Sequence, residues 1–342
     1  MTTDFSDDRH ARIALASATR ACDPVTRAIL TRYTPAEAID VAFRGQTPRG
    51  VRRAEYEAWQ AGVAPRLDAT LIDAVITQTE RAGFTPLTPR DPAWQLTGFS
   101  DLGTAQPIVL WERGAGSLLM TRRTDRIAIT GARAATGYGV HQAAEISGEL
   151  AEQEAVIVSG AAYGIDAAAH RSALATGGHT IAVLASGVDR PYPHPHTELI
   201  ERIADLGLVV SEQAPGAAPT RQRFMDRHRL IAALSSSAVI VEAGPRSGSL
   251  RLVDEARALG RPVGAVPGPV TSLASTGTNN LIHTGKARLV SNAREVVELT
   301  AAPSSQGQTP GAARTGPEAS LDPTQSTFAV SEPEQRGRGL SA

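Results

Sequence analysis

The stretch VIVSGAAYGIDAAAHRSAL (residues 156–174) decides the fold class. It begins with a short apolar run that stops at Ser159 and Gly160, continues through small residues and a second glycine, Gly164, and ends in an alanine-rich segment of helical character. A short strand that turns through glycines into a helix is the repeating unit of a parallel α/β sheet. Because the turn places bare backbone at the start of a helix, it also favours an anion such as a phosphate.

Similar apolar runs recur along the second half of the chain. They are RIAITG (126–131), AVIVSG (155–160), HTIAVLA (179–185), LGLVVSE (206–212), SAVIVEAG (237–244) and RPVGAVPG (261–268). Helical stretches separate most of them, and this alternation predicts a parallel sheet that is covered on both faces. We therefore predict an α/β fold with an extended, Rossmann-like, doubly wound and mostly parallel sheet.

Apolar spacing and residue composition divide the chain into four regions. Residues 1–85 contain segments with helical apolar spacing and predict a small helical N-terminal domain. Residues 86–125 form a connecting segment that contains the strand-like PIVLWERG and joins the Rossmann-like domain, residues 126–300. Residues 301–342 are rich in Pro, Ser, Gly, Gln and Thr, and this composition predicts a disordered tail.

Composition limits the classes of partner and compartment. The chain has 342 residues with 34 basic and 35 acidic side chains, so any nucleic acid must bind to a local basic patch. The single cysteine, Cys22, excludes a disulfide framework and a multi-cysteine metal site. No apolar run approaches the ~20 residues that span a bilayer, and the first ten residues lack a signal-peptide core. We expect a cytoplasmic protein that does not bind membranes.

Three of the predicted strand ends carry glycines or hydroxyl groups that suit a phosphate. The candidate residues are Gly131 and Arg133 after the first run, Ser159, Gly160 and Gly164 after the second, and Ser247, Gly248 and Ser249 after the fifth. Any one of these turns could be only a tight connection, but three at one end of one sheet favour binding. The first turn, GARAATG, is not the dinucleotide pattern GxGxxG, and GxxxxGK[ST] is absent. We therefore expect no nucleotide cofactor and no metal.

An arginine-rich helix is predicted over TRQRFMDRHRLIAALS (220–235). Arg223 and Arg227 are four residues apart, so they share one face of that helix. A positive groove with occasional aromatic side chains is the surface that single-stranded nucleic acid requires. Tyr163, Tyr192 and Phe224 are the candidate base-stacking residues, although for each of them taken alone packing is the more common role.

These stretches together resemble the DNA-processing protein A (DprA, also called Smf) family. The matching motifs, in family order, are ITGARAATGYG (129–139), VSGAAYGIDAAAH (158–170), TIAVLASGVDRPYPHPH (180–196), FMDRHRLIAALS (224–235), VEAGPRSGSL (241–250), AVPGPV (265–270) and GTNNLI (277–282). The resemblance implies binding of single-stranded DNA without sequence preference, delivery of the RecA recombinase in natural transformation and homologous recombination, and a homodimer joined through the Rossmann-like domain. It implies a SAM-like N-terminal domain and no catalytic activity.

The resemblance also assigns roles to individual residues. It implies that Arg133 contacts a backbone phosphate, that Ser159, Gly160 and Gly164 cradle one, that Arg227 and Arg229 line the groove, that Ser247, Gly248 and Ser249 donate hydrogen bonds, and that Asn279 and Asn280 belong to a closing motif. Asp166 is interpreted as a brace of the second turn, because a carboxylate repels phosphate. The chain departs from the family pattern at Met225, His228, His196 and Arg251, which leaves the fine geometry of the groove open.

Two other classes of function remain open at the level of sequence. GPRSGSL loosely resembles the phosphate loop of phosphoribohydrolases, and an enzyme of that kind that processes nucleoside phosphates would need a carboxylate base, for which Glu242 is the candidate. A backbone-bonded structural acid is the simpler interpretation of Glu242. A scaffold that keeps the fold but has lost DNA binding is the third hypothesis.

Overall fold

The computed structural model describes residue 5 and residues 7–301, which all fall within one unit. The predicted disordered tail lies outside the described residues apart from Ala301. The predicted domain boundaries near residues 85, 125 and 300 stay predictions.

A nine-stranded sheet forms the centre of the unit. The strands are β1 (Thr85–Leu87), β2 (Leu110–Gly114), β3 (Arg126–Thr130), β4 (Val156–Ser159), β5 (Thr180–Val183), β6 (Leu208–Ser211), β7 (Ser237–Ile240), β8 (Val263–Ala265) and β9 (Arg288–Leu289). Their order is β1-β2-β6-β5-β4-β3-β7-β8-β9. Strands β3 to β9 are parallel, and β2 adds antiparallel to β6 with β1 beyond it.

Thirteen helices surround the sheet in the described part of the chain. They are α1 (Asp8–Ala18), α2 (Pro24–Leu30), α3 (Pro35–Arg44), α4 (Arg53–Val63), α5 (Ala69–Arg81), α6 (Trp94–Thr97), α7 (Gly137–Glu152), α8 (Ile165–Ala175), α9 (Thr197–Leu206), α10 (Arg221–Leu234), α11 (Leu250–Ala258), α12 (Thr276–His283) and α13 (Ala293–Ala301). Within these described residues, no helix combines the length and the apolar character needed to cross a bilayer.

The predicted α/β class and mostly parallel sheet are confirmed. All six apolar runs are strands, and β3 to β8 are buried along their whole length because helices cover both faces. One apolar layer joins the sheet to α10, α11 and the segment around Trp94 and Phe99. The other layer joins it to α7, α8 and α13.

Helices α1 to α5 form a core of their own beside the sheet. Thr34 caps α3 in a reciprocal capping box with Glu37, and Pro35 occupies the first position of the helix. Ile13 of α1 leaves this core and packs instead with Val109 and Trp111 near β2. The helical part of the chain therefore attaches at the antiparallel edge of the sheet.

Strand β1 closes that edge. Pro86 has no N–H group, and its carbonyl oxygen accepts a hydrogen bond of 2.8 Å from the Arg9 guanidinium. Arg9 also pairs with Asp91 at 2.7 Å. The central residue of this three-residue strand therefore has neither its donor nor its acceptor free.

We predict that Glu112 makes the unit less stable as pH rises. Glu112 is buried on β2, and its Oε1 has no partner among the described residues. Burial, reinforced by Asp91, raises the pKa of Glu112 from 4.5 to about 7. The folded state thus binds the proton more tightly, so stability is fully present below pH 4.5 and is lost as pH rises through 7.

We expect Glu112→Gln to exceed the wild type by about 2–3 kcal/mol in unfolding free energy at pH 8 and to match it at pH 4.5. Urea unfolding at the two pH values measures this difference. Glu198→Gln, an exposed change on α9, is the control and should show no such pH dependence. A Glu112→Gln effect of equal size at both pH values would contradict the prediction.

Candidate nucleic-acid interface

A groove of about 900 Å³ lies at the carboxyl ends of β3, β4 and β7. The chain runs outward from β3 through β4 to β6 and then returns to the other side of β3 as β7. The strand order reverses between β3 and β7, and ligands of open α/β sheets bind in the crevice at such a point. The groove therefore occupies the position where this fold class places its ligands.

Positive charge dominates the groove walls. The lining arginines are Arg133, Arg221, Arg227, Arg246 and Arg251, and the lining carboxylates are Asp166 and Asp254. Asp166 already faces Arg227 at 3.7 Å. Arg133, Arg221 and Arg246 are exposed and have no carboxylate within 4 Å among the described residues. The groove thus presents unpaired guanidinium groups, which suit phosphate.

The turn after β3 is braced by β7. Glu242 is buried, and its two carboxylate oxygens accept hydrogen bonds of 2.8 Å from the Thr136 N–H and the Thr136 hydroxyl. The Ala132 N–H donates to the Glu242 carbonyl oxygen. Gly131 lines the groove, and a side chain there would collide with Ile165 and the Glu242 backbone. The first turn is therefore held against its neighbour strand.

The glycines of the turn after β4 allow an arginine side chain and a neighbouring turn to pack closely against the backbone. Gly160 lies against the Arg227 guanidinium, and Gly164, at φ +72°, lies against the Ala132 and Arg133 carbonyl groups. The buried Ser159 hydroxyl donates to the Ile129 carbonyl oxygen at 2.6 Å. None of Ser159, Gly160 and Gly164 lines the groove. Their predicted phosphate contact stays a prediction, and the observed reason for the small residues is close packing of two turns.

Arg227 lies at the floor of the groove with 4% of its surface exposed. It donates to the carbonyl oxygens of Gly160 and Val183 and faces Asp166. Asp166 in turn accepts from the Thr130 hydroxyl at 2.6 Å and from the Ala162 N–H of the second turn at 3.2 Å, which agrees with its interpretation as a brace. Burial lowers the pKa of Arg227 to about 10, so it stays charged at neutral pH.

Arg133 is held over an aromatic ring at the groove wall. Its guanidinium carbon lies 4.5 Å from the centre of the Phe224 ring, and that of Arg227 lies 4.9 Å away. Tyr192 meets the Phe224 ring edge-on at 5.7 Å. Phe224 thus orients the exposed Arg133 while leaving its N–H groups available. The base-stacking role predicted for Phe224 stays a prediction.

The turn after β7 supplies backbone donors. Ser247, Gly248 and Ser249 all line the groove just before α11 begins. The two serine hydroxyls are 2.8 Å apart, and the N–H groups of Gly248 and Ser249 have no acceptor among the described residues. Backbone donors at a helix start attract anions, so this turn continues the positive wall.

Arg229 lies away from the groove. It is buried, its guanidinium pairs with Glu212 at 2.9 Å, and its Nε donates to the Ala105 carbonyl oxygen at 2.9 Å. Burial alone would lower the pKa of Arg229, but the Glu212 carboxylate raises it. Arg229 therefore joins β6 to the segment before β2, and the groove contact predicted for it has no support in this arrangement.

Three other predicted residues also lie outside the groove lining. The Asn279 side chain exchanges two hydrogen bonds with the backbone of Gly268, at 3.0 and 3.1 Å, and so fixes the loop after β8. Asn280 is exposed on α12. Tyr163 is exposed and meets His196 edge-on at 4.8 Å. Their DNA contacts stay predictions.

The structure adds residues that the sequence did not single out as site residues. Arg221, Arg246 and Arg251 line the groove, as does His228. Burial, with a further contribution from Arg227, lowers the pKa of His228 to about 4, so it is neutral at pH 7. The sequence could have indicated Arg246 as a groove residue, because it belongs to the same glycine turn as the predicted site residue Ser247. Arg251 pairs with Glu255 at 3.2 Å across one helical turn.

The candidate catalytic acid, Glu242, has a structural role. Both oxygens of Glu242 are used by Thr136, and Glu242 does not line the groove. No cluster of three or more potential metal-ligating side chains occurs within the described residues. The arrangement therefore offers anion binding and no assembled acid–base pair at Glu242.

The fold and the groove define a Rossmann-type protein with an arginine-lined crevice at its topological switch point. The family model of DNA recombination-mediator protein A matches residues 87–301. The chain therefore belongs to the DNA recombination-mediator protein A (DprA) family, as its motifs indicated.

Individual relatives agree with this assignment. A DprA-type protein of Mycobacterium tuberculosis (strain H37Rv) is 42% identical over 279 residues, which cover 78% of this chain and 68% of that protein. The X-ray structure of DNA processing protein A from Streptococcus pneumoniae has a TM-score of 0.68 at 27% identity and covers 87% of this chain and 98% of that one.

A Helicobacter pylori structure bears on the ligand. It is a DNA processing protein A studied for its single-stranded DNA binding mode, and it matches with a TM-score of 0.56 at 31% identity. The match covers 63% of this chain and 94% of that one.

Proposed function

We propose that this protein binds single-stranded DNA in the groove between the β3, β4 and β7 turns, without sequence preference. The observation that carries the proposal is the set of five arginines that line that groove, of which three are exposed and have no carboxylate within 4 Å among the described residues. Guanidinium groups and bare amides contact the sugar–phosphate chain, which is the same for every sequence. The Helicobacter pylori relative, whose single-stranded DNA binding mode is known, supports the choice of ligand.

Salt dependence tests this proposal. Each phosphate contact on a single strand contributes about 0.7 to the slope of log affinity against log salt. Four contacts, from Arg133, Arg221, Arg246 and Arg251, predict a slope near −3 and roughly a 50-fold loss of affinity between 50 and 200 mM salt. Fluorescence anisotropy with oligo-dT and a mixed-sequence oligonucleotide measures both slopes. A slope near zero, or strong preference for one sequence, would contradict the proposal.

We propose that the bound strand is delivered to the RecA recombinase, in natural transformation and homologous recombination, and that the protein acts in the cytoplasm without catalysing a reaction. The description of the family as a recombination mediator supports this role. The engaged carboxylate of Glu242 supports binding over catalysis. The test is RecA nucleation on single strands coated with single-strand-binding protein, which should accelerate when this protein is added. An unchanged lag would contradict the delivery role.

We propose a homodimer through the β9 edge of the Rossmann-like domain. Val270 and Leu273, in the loop after β8, are 93% and 74% exposed, and Leu289 on β9 is half exposed. Exposed apolar side chains beside an open sheet edge mark an association surface. Light scattering should give twice the chain mass for the wild type and for Leu206→Asp, a distant exposed leucine on α9. Leu273→Asp should shift the mass to the monomer, and a monomeric wild type would contradict the proposal.

A further inference from the structure

A second cavity lies between the helical part of the chain and the antiparallel edge of the sheet. It has a volume of about 590 Å³. Residues of α1, α2 and α3 form one wall, and the loop that contains Gln106 and Ile108, together with Glu212 after β6, forms the other. Nothing in the DNA-binding proposal uses this cavity, because none of its lining residues belongs to the groove.

The carboxylates of this cavity already have partners. Asp8 pairs with Arg12 at 2.8 Å, and Glu212 pairs with Arg229 at 2.9 Å. Asp23 accepts the N–H and the hydroxyl of Thr26 and caps α2. Glu37 completes the capping box of α3. The acidic side chains of the cavity thus form ion pairs or cap helices.

Three arginines of the same cavity lack such partners. Arg20, Arg27 and Arg32 line it, and no carboxylate lies within 4 Å of any of them among the described residues. Arg27 is half-buried, whereas Arg20 and Arg32 are exposed. Unpaired guanidinium groups in a partly enclosed site favour an anionic ligand, most of all a phosphate.

Apolar side chains share the rest of the lining with several threonines and with Gln106 and Gln213. Leu30, Tyr33, Pro107 and Ile108 contribute hydrocarbon surface and one aromatic ring. Small-molecule sites typically combine such a lining with a few converging polar groups, and they occur between structural units. The cavity volume also lies in the range of such sites. The lining therefore fits a ligand with a flat apolar body and one anionic end.

We propose that this cavity binds a small organic phosphate with a flat apolar body, of the chemical class of a nucleoside monophosphate. Arg20, Arg27 and Arg32 take the phosphate, and Leu30, Tyr33 and Ile108 contact the ring. The ligand bridges the helical part of the chain and the edge of the sheet. Its binding therefore raises the unfolding free energy of the joined unit by RT ln(1 + c/Kd), which grows with the logarithm of the ligand concentration c.

The sole cysteine of the sequence is a built-in reporter for this cavity. Cys22 lines it and is half-buried. Burial raises the pKa of the Cys22 thiol, so alkylation is slow but measurable at pH 8. A ligand in the cavity covers the thiol, and at ten times its dissociation constant it should slow alkylation about tenfold by mass action.

The experiment follows Cys22 alkylation by N-ethylmaleimide on the full chain, with adenosine monophosphate, adenosine, inorganic phosphate or oligo-dT added. We expect strong protection by adenosine monophosphate, weaker protection by phosphate, and none by adenosine or by oligo-dT. Protection by oligo-dT comparable to that by the mononucleotide would overturn the small-molecule assignment. No protection by millimolar adenosine monophosphate or phosphate would overturn the site itself, and DNA binding in the groove would be unaffected by that result.

Matched variants locate the effect. Arg27→Ala should weaken protection at least tenfold, whereas Arg44→Ala, which removes an exposed arginine of α3 outside the cavity, should leave it unchanged. Circular dichroism checks the fold of both variants. If Arg27→Ala is unfolded, the thermal shift of the wild type with adenosine monophosphate decides, and no shift overturns the proposal. Equal protection in Arg27→Ala and Arg44→Ala also overturns it.

Discussion

The double substitution Arg133→Ala and Arg246→Ala should weaken binding of oligo-dT about 25-fold at 100 mM salt. Both side chains are exposed at the groove, and neither has a carboxylate within 4 Å among the described residues. Loss of two phosphate contacts removes about 1.4 from the slope of log affinity against log salt, which corresponds to this factor at 0.1 M. Anisotropy titrations at 50, 100 and 200 mM salt measure the affinity and the slope together.

The control for this measurement carries the same change of charge elsewhere. Arg171 on α8 and Arg202 on α9 are exposed and do not line the groove, so their double alanine variant should bind within about twofold of the wild type. Equal weakening in the two double variants would mean that net charge alone sets affinity. An unchanged slope in the groove variant would remove Arg133 and Arg246 from the DNA contact.

Arg227→Ala should lower the unfolding free energy by about 3–5 kcal/mol, because it leaves a buried carboxylate without its partner. Asp166 is 3% exposed and faces Arg227 across 3.7 Å. The variant also frees the carbonyl oxygens of Gly160 and Val183 from their hydrogen bonds. Urea unfolding at pH 7 measures the loss, and the wild-type m-value should be retained if the fold is the same.

A second variant separates the buried charge from lost packing. Arg227→Met combined with Asp166→Asn removes both charges and keeps similar volume, so its loss should be clearly smaller than that of Arg227→Ala. The amide oxygen that Asp166→Asn introduces can still accept from the Thr130 hydroxyl, which donates to Asp166 at 2.6 Å in the wild type. A loss below about 1 kcal/mol in Arg227→Ala would show that the pair carries little stability.

The strands of the parallel part of the sheet could be predicted from the sequence because each of them is buried on both faces. Such strands appear as continuous apolar runs, and β3 to β8 all do. β1 and β9 gave no comparable signal, since β1 has three residues with a central proline and both residues of β9 are exposed. Pairing with β2 and β8 creates these two strands, and pairing partners are not visible in a local pattern.

The arginines of α10 have different surroundings, and the sequence motif did not distinguish them. Arg227 and Arg229 are two residues apart, so on a helix they point about 200° from each other and do not share one face. The spacing alone could have separated them, and the structure places Arg227 under the groove and Arg229 against Glu212. Arg221, Arg246 and Arg251 come from separate segments, and only the tertiary fold brings them together.

The glycine turns were interpreted as room for a ligand, yet much of that room is filled by the protein. Gly160 accommodates Arg227, and Gly164 accommodates the backbone of the first turn. A glycine pattern indicates that something approaches the backbone closely, but it does not distinguish a phosphate from a neighbouring turn. At the turn through Ser247, Gly248 and Ser249, all three residues line the groove, and the N–H groups of Gly248 and Ser249 have no acceptor among the described residues.

The blocked β1 strand limits how copies of this chain can assemble. Pro86 offers no donor, and Arg9 occupies its carbonyl oxygen, so another strand cannot extend the sheet there. Within the described residues β9 is the other edge strand, and in the homodimer proposed above two copies that meet there through one twofold axis would use up both free edges. In that proposed dimer, association through the sheet would end at a pair, which would protect the chain from open-ended fibres.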